Sequence, residues 1–276
     1  MTLTASADGG YRLTQTLVRP VVYLDHWAIR LFSDDAPLRD RFLDALHRSG
    51  GTWLFSTANL MEFIAMTDLQ QAARGEQLLQ CAMPSLYVAD TTLDKGFLLS
   101  EGAPEHPDAP DKHWLLTDLA NRAALAGGAW NMHRFLQDAI NHQNLLLPLF
   151  NELKSDVSYA VMSLTQDEKR HAYALKFKPT RGMTLRDALQ RELIRDAHVD
   201  ENFVFDDHDA MDLIHAVPAA VVCDLILLDA GWCHKVERAT KRLERGGVTG
   251  KLAACYSRKS VSNFLTALEH HNSPTQ

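Results

Sequence analysis

The chain has 276 residues, 46% hydrophobic and 23% charged, an ordinary soluble composition that fits one large domain or a core with an insertion. A formal net charge of −7 excludes bulk electrostatic attraction to nucleic acid or anionic membrane and leaves only local basic patches for that purpose. Cys81, Cys223, Cys233 and Cys255 form no CxxC pair, which disfavours a zinc site of usual spacing and fits a reducing, cytoplasmic compartment; no apolar run is long enough to span a bilayer.

Residues 1–19 read as a flexible leader without the basic-then-apolar pattern of a signal peptide. VVYLD (Val21–Asp25) is a β-branched apolar run closed by an acid, the pattern of a buried strand. Asp35 and Pro37 start a helix that Gly50 and Gly51 end. TWLFS (Thr52–Ser56) is a second strand, and Ser56 or Thr57 caps a helix with Leu60, Met61, Ile64 and Ala65 on its apolar face. SLYVAD (Ser85–Asp90) is a third strand.

SEGAPEHPDAP (100–110) carries three prolines and forms a loop. From about 113 to 200 the apolar spacing is helical throughout, which predicts a helical insertion or lid over 100–204. Its run LLLPLF (Leu145–Phe150) has to be buried, because such a patch drives association when exposed; a homo-oligomer is one way to cover it. After 205 the β–α alternation returns, with a helix at Asp209–Ala220, the strand CDLILLD, the helix WCHKVERATKRLERGG, the strand KLAACYS and a closing helix. The expected fold is α/β, a central parallel sheet of about five strands with helices on both faces, formed by residues 20–95 and 205–270, plus the helical insertion.

In open parallel sheets, sites form beyond the carboxyl ends of the strands. Asp25 and Asp229 each close a strand, Asp212 lies on the helix leading into the second of these strands, and Glu62 follows TWLFS by six residues. Four carboxylates from separate segments therefore converge at one edge. Clustered acids raise one another's pKa, and a hard divalent cation such as Mg²⁺ or Mn²⁺ removes that cost. Asp209 shares a helix face with Asp212 and is a further candidate ligand or a helix-start acid. Asp224, at the opposite end of its strand, is read as structural, and Asp206 and Asp207 as helix-start acids.

The segments YLDHWAIRLF, STANLMEFIA, DLIHAVPAA and CDLILLDAGW, in this order and on these elements, resemble the motifs of the PIN domain, a metal-dependent nuclease fold of toxin ribonucleases and RNA-processing nucleases. The resemblance covers about 20–95 and 205–270; Leu227 or Leu228 stands where that family has Thr or Ser. It implies an endoribonuclease that hydrolyses RNA phosphodiesters with Mg²⁺ or Mn²⁺ held by Asp25, Glu62, Asp212 and Asp229. It also implies a restraining partner or antitoxin. The alternative is a non-catalytic PIN-like module that binds RNA or protein. Around the acids, His26, His215, Lys235 and Arg238 are candidate substrate contacts, with Lys241, Arg242 and Arg245 extending the basic face. His215 is otherwise a core or outer-shell histidine, and Trp27 and Trp232 are read as core packing rather than base-stacking platforms.

Overall fold

A computed structural model of the chain describes residues 1–5, 11–92, 96–99, 114–127, 132, 134–163, 178, 182–200, 202 and 204–271. Its centre is a six-stranded sheet built from β3 (Val21–Leu24), β4 (Thr52–Ser56), β5 (Leu86–Thr92), β6 (Gly96–Leu98), β7 (Leu225–Leu227) and β8 (Ala254–Tyr256), in the spatial order β6-β5-β4-β3-β7-β8. Five strands are parallel, and β6 pairs antiparallel to β5 at the edge. The sheet is therefore mixed rather than wholly parallel. β6 is three residues long, too short to carry a period-two signal. The leader is not loose where it is described. β1 (Thr2–Ala5) and β2 (Tyr11–Thr14) form an antiparallel ribbon, Leu13 is fully buried, and the Gln15 side chain donates to Val88 O at 2.8 Å and accepts from Val88 N at 2.9 Å.

Alternate residues of the strands feed two cores, as the period of two requires. Val22, Leu24, Trp53, Phe55 and Val88 point to a core closed by α1 (His26–Asp34), α2 (Ala36–Ser49), α4 (Leu69–Ala82), α5 (Trp114–Leu125), α6 (Phe135–Asn141) and α12 (Val261–Glu269). Val21, Tyr23, Leu54, Tyr87 and Ile226 point to a second core closed by α8 (Leu185–Leu193), α9 (Arg195–Val199), α10 (Asp207–Val222) and α11 (Ala230–Arg245). Residues of α3 (Thr57–Ile64) enter both cores. Asp224 ties the start of β7 to the start of β3, accepting from Arg19 at 2.6 Å and from Val21 N at 2.8 Å, as its position in the strand predicts.

The helices of the middle third pack onto both cores: α5 and α6 on the first, α8 and α9 on the second. Between them, α7 (Gln143–Ser163) packs Leu146 and Leu147 against the first core and buries Val157 and Val161 in the second, with Phe150 touching both. The run LLLPLF is accordingly buried on one side only. Leu145 and Leu149 are 70% and 60% exposed, which corrects the expectation that the whole run is covered; at helical spacing those two lie on the outer face. The proline-rich stretch 100–110 lies outside the described residues. Among the described residues no helix is long and apolar enough to cross a membrane.

Candidate metal centre

The five parallel strands run in a doubly wound order, and the chain reverses direction across the sheet between β3 and β7. A crevice opens at such a reversal beyond the carboxyl ends of the strands. Asp25 sits there. Its backbone N–H donates to Leu227 O at 2.9 Å, and its Oδ1 accepts from His26 N at 2.7 Å, capping α1. Glu62 reaches the same place from α3. Ser56 and Asn59 form the capping box of that helix, and Asn59 Nδ2 donates to Leu24 O at 2.9 Å. This fastens the first turn of α3 to the end of β3, and Glu62 follows Asn59 on the same helical face.

The third member comes from α10. His215 is 1% exposed, on a stretch buried nearly all round, and its Nδ1 bonds the Tyr23 hydroxyl, which lies 3.2 Å from Ser56 Oγ. Its Nε2 points at Glu62 Oε2, 3.0 Å away. The two buried atoms pair with each other, and neither has a further partner among the described residues. One ligand atom from each of Asp25, Glu62 and His215 lies within 4.8 Å of the other two.

Electrostatics match this crowding. Burial, then the Glu62 charge, push Asp25 up from 3.8 to about 7. Burial would lower His215, but the Glu62 carboxylate, followed by Asp25 and Asp212, holds it above its usual value. Burial would raise Glu62, but the His215 charge keeps it below the usual glutamate range. In the metal-free chain a proton on His215 offsets the carboxylates, where a bound cation would do the same. The buried Oε2 and Nε2, with the Asp25 carboxylate close by, fit a divalent ion, and the Tyr23 bond to Nδ1 is the kind of outer support that a ligating histidine requires.

The other predicted ligands stand outside this group. Asp212 lies near enough to feel Glu62 and His215, and burial with the Asp229 and Glu62 charges lifts it to about 6 against the pull of His208, which is 3.9 Å away. Asp229 caps α11, accepting from Gly231 N at 2.7 Å and Trp232 N at 3.1 Å. Asp209 pairs with Lys235 at 3.3 Å instead of joining the acids, and Lys235 also sits over the Trp232 ring at 4.0 Å. Arg238 pairs with Asp196 at 3.4 Å and Arg242 with Glu192. Lys235, Arg238 and Arg242 of α11 are therefore matched by acids of α8, α9 and α10, while Lys241 and Arg245 are exposed. Trp232 is buried and Trp27 packs against the first core, as expected.

Beside Glu62 a cleft of about 310 Å³ opens, lined by Met61 and His26, by Leu147, Phe150 and Lys154 of α7, and by His208 and Met211 of α10. His26 does reach the site's edge. Its ring meets Phe63 edge-on at 4.7 Å, its Nε2 lies 3.0 Å from Met66 Sδ, and burial lowers its pKa. Sequence reasoning places His215 among substrate contacts or in the core rather than with Asp25 and Glu62, and gives no part to Tyr23, Asn59 or Lys154. The signal for His215 was present: a titratable side chain among Leu213, Ile214, Ala216 and Val217 needs partners to be buried at all.

Comparison with protein-family models, with curated proteins and with solved structures finds no match for this chain.

Proposed function

We propose that this protein is a metal-dependent nuclease of PIN-like kind that hydrolyses RNA phosphodiester bonds, with Asp25, Glu62 and His215 holding the ion. The observation that carries the reading is the meeting of these three side chains at the sheet's reversal point, with one ligand atom of each within 4.8 Å of the other two. The order of the four motifs supplies the nuclease part. Two carboxylates and an imidazole suit Mn²⁺ better than Mg²⁺, which prefers oxygen donors. An ion held by Asp25, Glu62 and His215 would supply water activation and charge neutralisation at the phosphate. Asp212, lifted to about 6 and next to the group, is suited to take up the proton that water loses. Tyr23 and Ser56 keep the His215 ring oriented, and Asn59 keeps Glu62 at the end of β3.

The test is purified protein incubated with total RNA in Mn²⁺, Mg²⁺ or EDTA, with the new ends mapped. Cleavage in Mn²⁺ that EDTA and Asp25→Asn both abolish supports the proposal. RNA binding without any new ends in Mn²⁺ would overturn it in favour of a non-catalytic binding module.

A further inference from the structure

Resting on that reading, we propose that Lys154 of α7 holds a phosphate of the RNA beside Glu62, so that a helix outside the motif-bearing core supplies the substrate's main cationic contact. Lys154 is half-buried in the cleft next to Glu62 and, among the described residues, is the one lysine or arginine lining it, with Asp207 lining the same cleft. Among the described residues it forms no ion pair, whereas Lys235, Arg238 and Arg242 all face protein carboxylates. A phosphate entering the cleft therefore meets an uncommitted ammonium there, and would have to break existing ion pairs to recruit Lys235, Arg238 or Arg242 of α11. An acidic site needs such a cation, because the carboxylates repel an incoming phosphodiester.

The position is rigid. Val157 and Val161 anchor α7 in the second core, and Ser158 Oγ donates to Asp207 Oδ1 at 3.0 Å, fixing the helix to the start of α10. Phe150, one turn before Lys154, lines the same cleft and offers an aromatic side chain beside the phosphate contact. Together they suit one nucleotide unit with its phosphate on Lys154.

The experiment uses the full chain, a short fluorescein-labelled oligouridylate, and Ca²⁺ in place of Mn²⁺ during binding so that the probe stays intact. Lys154→Gln is expected to weaken binding about tenfold and to flatten the salt dependence by about 0.7, the slope of one lost phosphate contact on a single strand. In Mn²⁺ it should raise KM with kcat within about threefold of wild type, the mark of lost uniform binding. Lys154→Arg should restore both binding and slope. Wild-type cleavage together with an unchanged affinity, KM and salt slope in Lys154→Gln overturns the inference while leaving the nuclease reading intact. A wild type that neither binds nor cleaves the probe overturns both.

Discussion

Glu62 Oε2 and His215 Nε2 face each other at 3.0 Å, one from α3, which follows β4, and the other from α10, which precedes β7. With Asp25 beside this buried pair, the site holds a second carboxylate that a proton or a cation must offset. The consequences can be measured separately.

Asp25→Asn is expected to keep the fold, because asparagine caps a helix as well as aspartate does. Losing one ligand should remove several kcal/mol of transition-state stabilisation, on the order of 10³-fold in cleavage rate. Circular dichroism beside a cleavage assay checks this. Retention of most activity at saturating Mn²⁺ would remove Asp25 from the centre.

Tyr23→Phe deletes only the hydroxyl that supports His215 Nδ1. Metal affinity should fall about 10- to 100-fold, the usual effect of losing an outer-shell partner. Stability should fall by about 1 to 3 kcal/mol, because a buried ring nitrogen loses its partner. Calorimetric titration and denaturant melts of the same samples report the two effects.

The pH dependence of the metal-free protein has a defined sign. Folded Asp25 titrates near 7 instead of 3.8, so between those values the folded chain keeps a proton that the unfolded chain has released. Stability therefore falls as pH rises through that window, by about 4 kcal/mol. Asp212, lifted to about 6, and His215, held above 6.5, act in the same direction, while Glu62, held below 4.5, opposes them only at the acid end. Melting in EDTA should decline from about pH 5 to about pH 8, and Mn²⁺ should remove the decline. A flat profile in EDTA would contradict the electrostatics of the site.

Asp212→Asn should raise the melting temperature of the metal-free protein, since it removes a carboxylate lifted by burial and its neighbours. A gain of about 1 kcal/mol corresponds to about 2 to 4 °C in a chain of this size. Wild type should gain more from Mn²⁺ than the variant does. Equal shifts in both proteins would show that Asp212 does not feel the centre.

The two sides of α7 should respond differently. Leu149→Glu on the exposed face should change stability by no more than about 0.5 kcal/mol. Val157→Asp, in the second core, should cost about 3 kcal/mol or more. Equal effects, read by urea melts, would mean that α7 does not dock as described.

Much of this architecture is legible in the residues. VVYLD, TWLFS and SLYVAD announce strands because β-branched and aromatic residues cluster there, and β3, β4 and β5 fall on them. Asp35 and Gly50 bound α2 as their chemistry requires, with Gly50 at a φ of 63°. Asp25 is legible as a strand-end acid and Glu62 as an acid on the helix after the second strand. α1 is not, because Asp25 is both the last residue of the strand motif and the cap of the helix after it. The ligand set is only half legible. Periodicity places His215 and Asp212 on one helix face but cannot tell which of them turns toward Glu62; that depends on Tyr23, nearly 200 residues away along the chain. The pairing of Lys235 with Asp209 and of Arg238 with Asp196 depends on how α11 meets α9 and α10, which no local pattern records.

The most direct test of the centre is a calorimetric Mn²⁺ titration of metal-free wild type beside Glu62→Gln and His215→Ala, in two buffers of different ionisation enthalpy. Wild type is expected to bind Mn²⁺ at the centre with release of protons, because the ligands must be deprotonated to bind. Each variant is expected to bind at least about 10²-fold more weakly. Equal Mn²⁺ binding by all three proteins, or none by wild type, would contradict the metal centre.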